Sequence, residues 1–253
     1  MTVGRIVYED DLVQLWHGDY RDHLDMIGPG SVDAVITDPP YGETSLKWDR
    51  WPIGWVDHVA TLTSSLWCFG SFRMFHEHAS DFEAWKFSQD IIWEKHNGSG
   101  FHADRFKRVH ESATLWYRGD WEDIHHVTPT TADAVKRATR RKLRPAHTGQ
   151  IERGHFTSED GGPRLMRSVQ FVRSEHGRAV HPTQKPLGIV SPLIEYSVPR
   201  GGLVVDPFGG SYTTALAARM SGRRCIAFEA IESHALAGVR RFEQMAFDFG
   251  ELA

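Results

Sequence analysis

The stretch Leu203-Val204-Val205-Asp206-Pro207-Phe208-Gly209-Gly210-Ser211-Tyr212-Thr213-Thr214-Ala215-Leu216-Ala217-Ala218-Arg219-Met220 decides the fold. Its first three residues read as a short buried strand that ends on a carboxylate. A turn with two glycines follows, then an Ala- and Leu-rich helix over Thr213–Met220 that stops before Gly222, a residue suited to a C-terminal cap. The next apolar run, Arg224–Phe228, reads as a second strand and delivers Glu229, 23 positions after Asp206. Strand, glycine turn, helix and strand make the unit of an α/β layer fold. Glycines at such a turn let a ligand approach the backbone, and the helix start offers free N–H groups. An acid about 20 positions beyond the turn is where nucleotide-binding α/β folds hold a ribose diol. The glycines do not spell G-x-G-x-x-G and no P-loop lysine follows, so NAD and ATP fit poorly.

Further apolar runs bounded by turn residues predict strands at Val13–His17, Val32–Thr37, Leu66–Phe69, Asp90–Glu94 and Ala113–Tyr117. Helical spacing is found over Asp57–Leu62, Arg73–Trp85, Leu187–Tyr196 and Glu232–Ala246. The alternation predicts a mostly parallel sheet with helices packed on it. Residues 118–178 break the rhythm with turn pairs and no clear period, and read as an insertion between two parts of one sheet. The expected division is 1–117 with 179–253 for the sheet, and 118–178 for the inserted region.

Composition narrows the classes. The chain has 253 residues, 40% of them hydrophobic, which argues against intrinsic disorder. No run approaches the roughly 18 apolar residues of a membrane span. The first eleven residues lack the basic-then-apolar pattern of a secretory signal. Cys68 and Cys225 stand 157 positions apart in apolar runs and read as buried thiols of a reducing compartment. A cytoplasmic protein is expected. His76-Glu77-His78 and His125-His126 lack both H-E-x-x-H and paired cysteines, so no metal is expected. The net charge of −4 conceals an asymmetry. Residues 136–178 hold eleven Lys and Arg against four acids, a surplus of seven, which leaves −11 on the rest of the chain. A basic block on an acidic body suggests a polyanion-facing surface, with Lys136, Arg137, Arg140, Arg141, Lys142 and Arg144 its densest part.

Asp38-Pro39-Pro40-Tyr41 follows the strand Val32–Thr37, at the end of a strand where open α/β sheets bind ligands. The prolines fix φ and donate no N–H, so the corner offers acceptors, the Asp38 carboxylate and the Pro39 carbonyl, beside the Tyr41 ring. An exocyclic amine on a planar base needs that combination. Its two N–H groups are donors and its ring can stack. Its lone pair, delocalised into the ring, becomes nucleophilic when both hydrogens are accepted. A third cluster, His181-Pro182-Thr183-Gln184-Lys185-Pro186, precedes the glycine turn and by itself could simply open a helix.

Together, Asp-Pro-Pro-Tyr, His-Pro-Thr-Gln-Lys-Pro and Asp-Pro-Phe-x-Gly-Ser-x-Thr-Thr, in that order, resemble the DNA amino-methyltransferases of the β group, which act on adenine N6 or cytosine N4. The resemblance takes in Gly18-Asp19, Trp48-Asp49 and Arg105-Phe106-Lys107-Arg108-Val109-His110-Glu111, and spans roughly 12–117 and 179–245. It implies a Rossmann-like sheet of seven strands with helices on both faces and a circularly permuted motif order. Residues 118–178 then stand where the family keeps its target-recognition region.

The resemblance implies that Asp38, Pro39, Pro40 and Tyr41 hold a flipped base. It implies that Asp206, Phe208, Gly210 and Thr213 line a pocket for S-adenosylmethionine. Glu229 would take its ribose hydroxyls, Asp19 would sit near its adenine, and Thr183, Gln184 and Lys185 near its methionine tail. Trp48 would form a lid over the base. Double-stranded DNA is the implied partner, in a prokaryotic or phage setting. Homodimers are common in the group, and a restriction endonuclease is a further partner the resemblance brings into view. Asp38 favours adenine, because the cytosine enzymes usually carry Ser-Pro-Pro-Tyr; relatives acting on protein glutamine usually carry Asn-Pro-Pro-Tyr. One departure stands out. The family's cofactor turn, Phe-x-Gly-x-Gly, normally has glycine where this chain has Tyr212. If the position needs a positive φ, tyrosine is strained by roughly 1–3 kcal/mol. If it needs only close approach, the ring crowds the cofactor. Either would favour a catalytically weakened, DNA-binding descendant as the alternative.

Overall fold

Side chains alternate across an extended strand, so each core strand of this chain feeds two apolar layers. The computed structural model describes residues 4–99, 103–140, 155–175, 177, 179–181 and 183–250. It divides into two units, Met1–Val127 with Ser168–Ala253, and Thr128–Arg167. The larger unit begins with β1 (Arg5–Glu9), β2 (Val13–His17), a 3-10 turn (Tyr20–Met26) and β3 (Ala34–Thr37). It continues with α1 (Trp55–Leu62), β4 (Ser65–Gly70), α2 (Phe72–Glu77), a 3-10 turn (Ala79–Phe82), β5 (Lys86–Ser99) and β6 (Arg108–Tyr117). The smaller unit holds β7 (Thr130–Thr131), β8 (Arg137–Arg140), β9 (His155–Ser158) and β10 (Arg164–Leu165), paired as β7 with β10 and β8 with β9. The chain returns through β11 (Val169–Phe171), α3 (Leu187–Ser197), β12 (Leu203–Asp206), α4 (Thr213–Met220), β13 (Arg224–Glu229) and α5 (Glu232–Gly250).

The sheet runs β1-β2-β13-β12-β3-β4-β6-β5-β11. Its central seven strands are the seven read from the sequence, and β1 and β11 extend it to nine. Pairing is parallel from β2 through β4, while β6 lies antiparallel to both β4 and β5. Ala34, Ile36, Trp67, Phe69, Val204 and Ala227 face the layer built by α3, α4 and α5. Val35, Leu66, Cys68, Val205 and Phe228 face the layer that contains α1 and α2.

Three features differ from what the sequence predicts. The smaller unit is narrower than 118–178. Residues on either side of it belong to the larger unit, because β11 pairs parallel with β5 and the Val127 N–H donates to the Tyr196 carbonyl at 2.9 Å. The helix expected over Arg73–Trp85 stops at Glu77, where His78 leaves helical geometry at φ −114° and ψ 22°. The sheet has nine strands because a half-exposed segment at each edge also pairs. Among the described residues no helix is long and apolar enough to cross a membrane. Cys68 and Cys225 are buried free thiols.

The order of the sheet reverses between β12 and β3. From β12 the chain winds to β13 and away on one side; from β3 it winds to β4 on the other. Ligands bind beyond the carboxyl ends of strands at such a switch point. Asp206 ends β12, Glu229 ends β13, and Asp38 directly follows β3.

Candidate active site

At the end of β3, the Tyr41 hydroxyl donates to Asp38 Oδ1 at 2.6 Å. Asp38 Oδ2 takes the ammonium of Lys185, which arrives from the segment before α3. Lys185 lies 3.4 Å from Glu111 Oε2 on β6, and the other Glu111 oxygen pairs with Lys95 on β5. Two cations and two carboxylates thus alternate in a largely buried row. Burial alone would lower the Lys185 pKa, but Asp38 and Glu111 hold it above its ordinary value, so the lysine stays charged. Burial likewise works against the Glu111 carboxylate, and Lys185 and Lys95 overcome it and hold its pKa at about 2. Burial raises the Asp38 pKa above its ordinary value, against the opposing pull of Lys185.

Beside this corner, Thr37 Oγ1 and the Phe208 N–H donate to Asp206 Oδ1 at 2.6 and 3.1 Å. The Gly210 N–H donates to Glu229 Oε2 at 2.8 Å, and the Ile231 N–H to Oε1 at 2.7 Å. Burial pushes Asp206 up to about 6 and Glu229 up to about 7. Asp19 caps the 3-10 turn through the Arg21 N–H and pairs with its guanidinium. His181 Nδ1 accepts the Thr183 N–H at 3.2 Å, and its Nε2 lies 3.1 Å from His234 Nδ1. Trp48 sits against both imidazoles, with ring centroids 5.7 and 6.1 Å away.

One cavity of about 300 Å³ joins these groups. Asp38, Pro39, Pro40 and Tyr41 line it together with Asp19, Thr183, Gln184, Lys185, Asp206, Phe208, Gly210, Thr213 and Glu229. Sequence reasoning gave no role to Glu111, His181 or His234, which also line it. Lys185, expected beside a methionine tail, lines the cavity and bonds Asp38. Trp48 lines the cavity, whereas Trp51 stacks on His78 and Trp55 is buried in the core.

Tyr212 resolves the departure in the cofactor turn. Its backbone is left-handed at φ 56° and ψ 36°, so the position is one that favours glycine. Its ring points into the core, fully buried, with its hydroxyl donating to the Trp16 carbonyl at 2.8 Å. It does not line the cavity. A Cβ added at Gly209 or Gly238 would come within 2.7 Å of that ring, so the two glycines make room for it. The expected crowding is absent and the strain is local. Of the expected basic surface, Lys136 is exposed and pairs with Glu159 at 3.3 Å. Arg137 and Arg140 bound β8, while Arg141, Lys142 and Arg144, like Pro182, lie outside the described residues.

A sequence profile described as DNA methylase, of the N6 and N4 enzymes, matches residues 32–239. The chain belongs to this family. The type II methyltransferase M.ScaI of Streptomyces caespitosus is 24% identical over 271 residues, covering 97% of this chain and 86% of the relative. The type II methyltransferase M2.DpnII of Streptococcus pneumoniae is 24% identical over 267 residues, covering 93% and 91%. The fold is shared with M1.HpyAVI in complex with SAM, at TM-score 0.62 and 22% identity over 91% of this chain and 100% of that one. It is also shared with the cytosine-N4-specific PvuII DNA methyltransferase, at TM-score 0.66 and 16% identity over 94% and 89%.

This DNA methyltransferase is S-adenosylmethionine-dependent, as the family is. The residues present fit that cofactor. Glu229 and Asp206 are buried carboxylates held above their ordinary range. The side chain paired with Glu229 is His234 at 3.8 Å, whose own pKa burial lowers. A ligand that is cationic and presents a ribose diol supplies what such acids lack. Cofactor binding should therefore favour ionised Glu229, and its affinity should rise as pH climbs through about 7. By the ionised fraction, the dissociation constant is expected to be roughly a hundredfold larger at pH 5 than at pH 8. Titration calorimetry should find this slope in the wild type and a flatter one in Glu229→Gln. Equal slopes would remove Glu229 from the cofactor's hydroxyls. The cofactor-free protein should respond in the opposite sense. A carboxyl whose folded pKa is raised from 4.5 to about 7 stabilises fully below 4.5 and loses that contribution as pH rises through 7.

Proposed function

We propose that the protein methylates the exocyclic N6 amine of adenine in double-stranded DNA after the base leaves the helix. The observation that carries this is the single cavity shared by Asp38-Pro39-Pro40-Tyr41 and by Asp206, Phe208, Gly210 and Glu229. A methyl group can pass only if donor and amine share one space, since transfer demands reacting atoms about 3–3.5 Å apart. The target amine is otherwise held in a base pair, which is why such enzymes flip the base.

S-adenosylmethionine, when bound, supplies a methyl group on a cationic sulfur that leaves as a neutral thioether. The protein's own residues do the rest by positioning. Glu229 and Asp19 hold the ribose and adenine ends, and the Phe208–Gly210 turn lets the ligand lie against the backbone. Tyr41 offers a face to the flipped base, its hydroxyl fixed by Asp38. Asp38 and the Pro39 carbonyl accept hydrogen bonds from the two amine hydrogens, which frees the nitrogen lone pair; the incoming methyl group replaces one of those protons, which leaves through the Asp38 carboxylate to water. In the present arrangement Lys185 holds the Asp38 oxygen that the amine needs. Glu111, already 3.4 Å from that ammonium, is the carboxylate to which Lys185 retreats when the amine arrives. The lysine thus opposes the burial that raises the Asp38 pKa until the substrate replaces it.

Adenine is favoured by Asp38, at the position where the family's cytosine enzymes usually carry serine. Mass spectrometry of digested DNA from cells expressing the protein should find N6-methyladenine. Methylcytosine without methyladenine would assign the protein to cytosine N4. The basic stretch around Lys136–Arg144 is read as a phosphate-facing surface of the target-recognition region. The type II relatives support a restriction–modification setting for the enzyme. A cognate nuclease and a homodimer are part of this reading.

A further inference from the structure

Among the described residues of the larger unit, the three most exposed large apolar side chains are Phe106, Ile53 and Phe72, at 103%, 87% and 82%. Single exposed apolar residues are ordinary on protein surfaces. Each is tied, by the chain or by a hydrogen bond, to the segment 38–52, much of which lines the cavity. Ile53 follows Pro52, which lines the cavity. Phe72 follows Ser71, whose hydroxyl donates to Glu43, two residues beyond Tyr41. Arg108 grips the other Glu43 oxygen at 3.0 Å, and Phe106 is two residues before Arg108. Two residues of extended chain span at most about 7 Å, so Phe106 stays close to the Arg108 that is bonded to the loop following Tyr41.

Its neighbours identify what it meets. Residues 103–108 contain Arg105, Lys107 and Arg108 against one acid, Asp104, and all are exposed. An apolar ring between cations suits a polyanion with a stacked apolar interior. Of the three, Ile53 has no aromatic face and Phe72 already lies parallel to the His76 ring at 6.3 Å. Phe106 alone joins a free face to flanking cations on both sides. When a nucleotide leaves the duplex it opens a gap in the stack, and proteins that distort DNA insert apolar wedges between bases.

We infer that Phe106 enters the DNA base stack as the target base leaves it, with Arg105 and Lys107 on the adjoining phosphates. The inference rests on the DNA-methyltransferase reading and adds an insertion residue on the catalytic unit itself, outside the basic 136–144 stretch. Phe106 is a positioning residue, acting on the DNA rather than on the reacting atoms.

The test uses duplex oligonucleotides carrying the site read by sequencing DNA from cells expressing the protein. One has the target base normally paired; the other has it opposite an abasic position, where leaving the stack needs little help. The measurement is tritiated methyl transfer by the wild type, Phe106→Ala and Phe106→Trp. Phe106→Ala is expected to lose at least about tenfold in kcat/KM on the paired duplex. It should recover to within about threefold of the wild type on the abasic duplex, and Phe106→Trp should stay near the wild type on both. Cofactor affinity by calorimetry should be unchanged in all three proteins. An undiminished rate for Phe106→Ala on the paired duplex would overturn the inference, and so would an equal loss on both duplexes. Failure of the wild type on both duplexes would strike the functional reading, and the inference with it.

Discussion

Asp38→Ala is expected to lower methyl transfer by at least about a thousandfold while leaving S-adenosylmethionine affinity within about fivefold. Removing a preorganised polar group that acts on the reacting centre typically costs about 100- to 1,000-fold in rate. Asp38 also ionises Lys185 and orients Tyr41, so its loss disturbs the whole base-binding corner. The groups proposed to hold the cofactor, Asp206, Glu229 and the glycine turn, make no hydrogen bond to Asp38. The fold should survive, because Lys185 keeps Glu111 and Glu111 keeps Lys95. Tritiated-methyl transfer and calorimetry separate the two effects. A variant with wild-type turnover would remove Asp38 from the chemistry. Equal losses in binding and transfer would mean that the two halves of the cavity are not independent.

Tyr212 offers the second large effect, this one on stability. The left-handed backbone at φ 56° argues for glycine, the residue the family usually places there. The packing argues the other way. The ring is fully buried between Gly209 and Gly238, and its hydroxyl satisfies the Trp16 carbonyl. Truncating a buried aromatic costs about 3–5 kcal/mol, whereas a left-handed non-glycine residue is strained by about 1–2 kcal/mol. Packing wins. Tyr212→Ala should lose about 4 kcal/mol in denaturant unfolding, since it keeps the strain and leaves a cavity. Tyr212→Gly should lose about 3 kcal/mol, the difference being the strain relieved. A Tyr212→Gly protein more stable than the wild type would show that strain, not packing, dominates the turn.

The same residue marks the limit of reading from sequence. That Tyr212 replaces a glycine was legible; which way its ring turns was not. The answer depends on Gly238 and Trp16, both distant in sequence and brought close only by the fold. The seven central strands were legible because apolar alternation and turn residues frame each of them. The edge strands β1 and β11 were not, since they are half-exposed and carry no clear burial pattern. The helix after Ser71 was read too long because His78 and Asp81 engage Trp51, a tertiary interaction that breaks the local period. The acidic and glycine groups of the cavity were legible as short motifs, each at the end of a strand. The bond between Asp38 and Lys185 was not, because it joins residues 147 positions apart. Glu111 closed the Arg105–Glu111 stretch that the resemblance took in, but nothing local linked it to Lys185, 74 positions away.

A structure of the enzyme with duplex DNA and the cofactor analogue sinefungin measures directly whether base and methyl donor meet in the one cavity. The flipped adenine is expected on Tyr41 and its amine nitrogen on Asp38, with Lys185 displaced toward Glu111. The analogue's amine, standing where the methyl group would be, should lie within about 3.5 Å of that nitrogen. A base seated away from Asp38, or an Asp38–Lys185 pair left intact beneath a bound base, would contradict this arrangement.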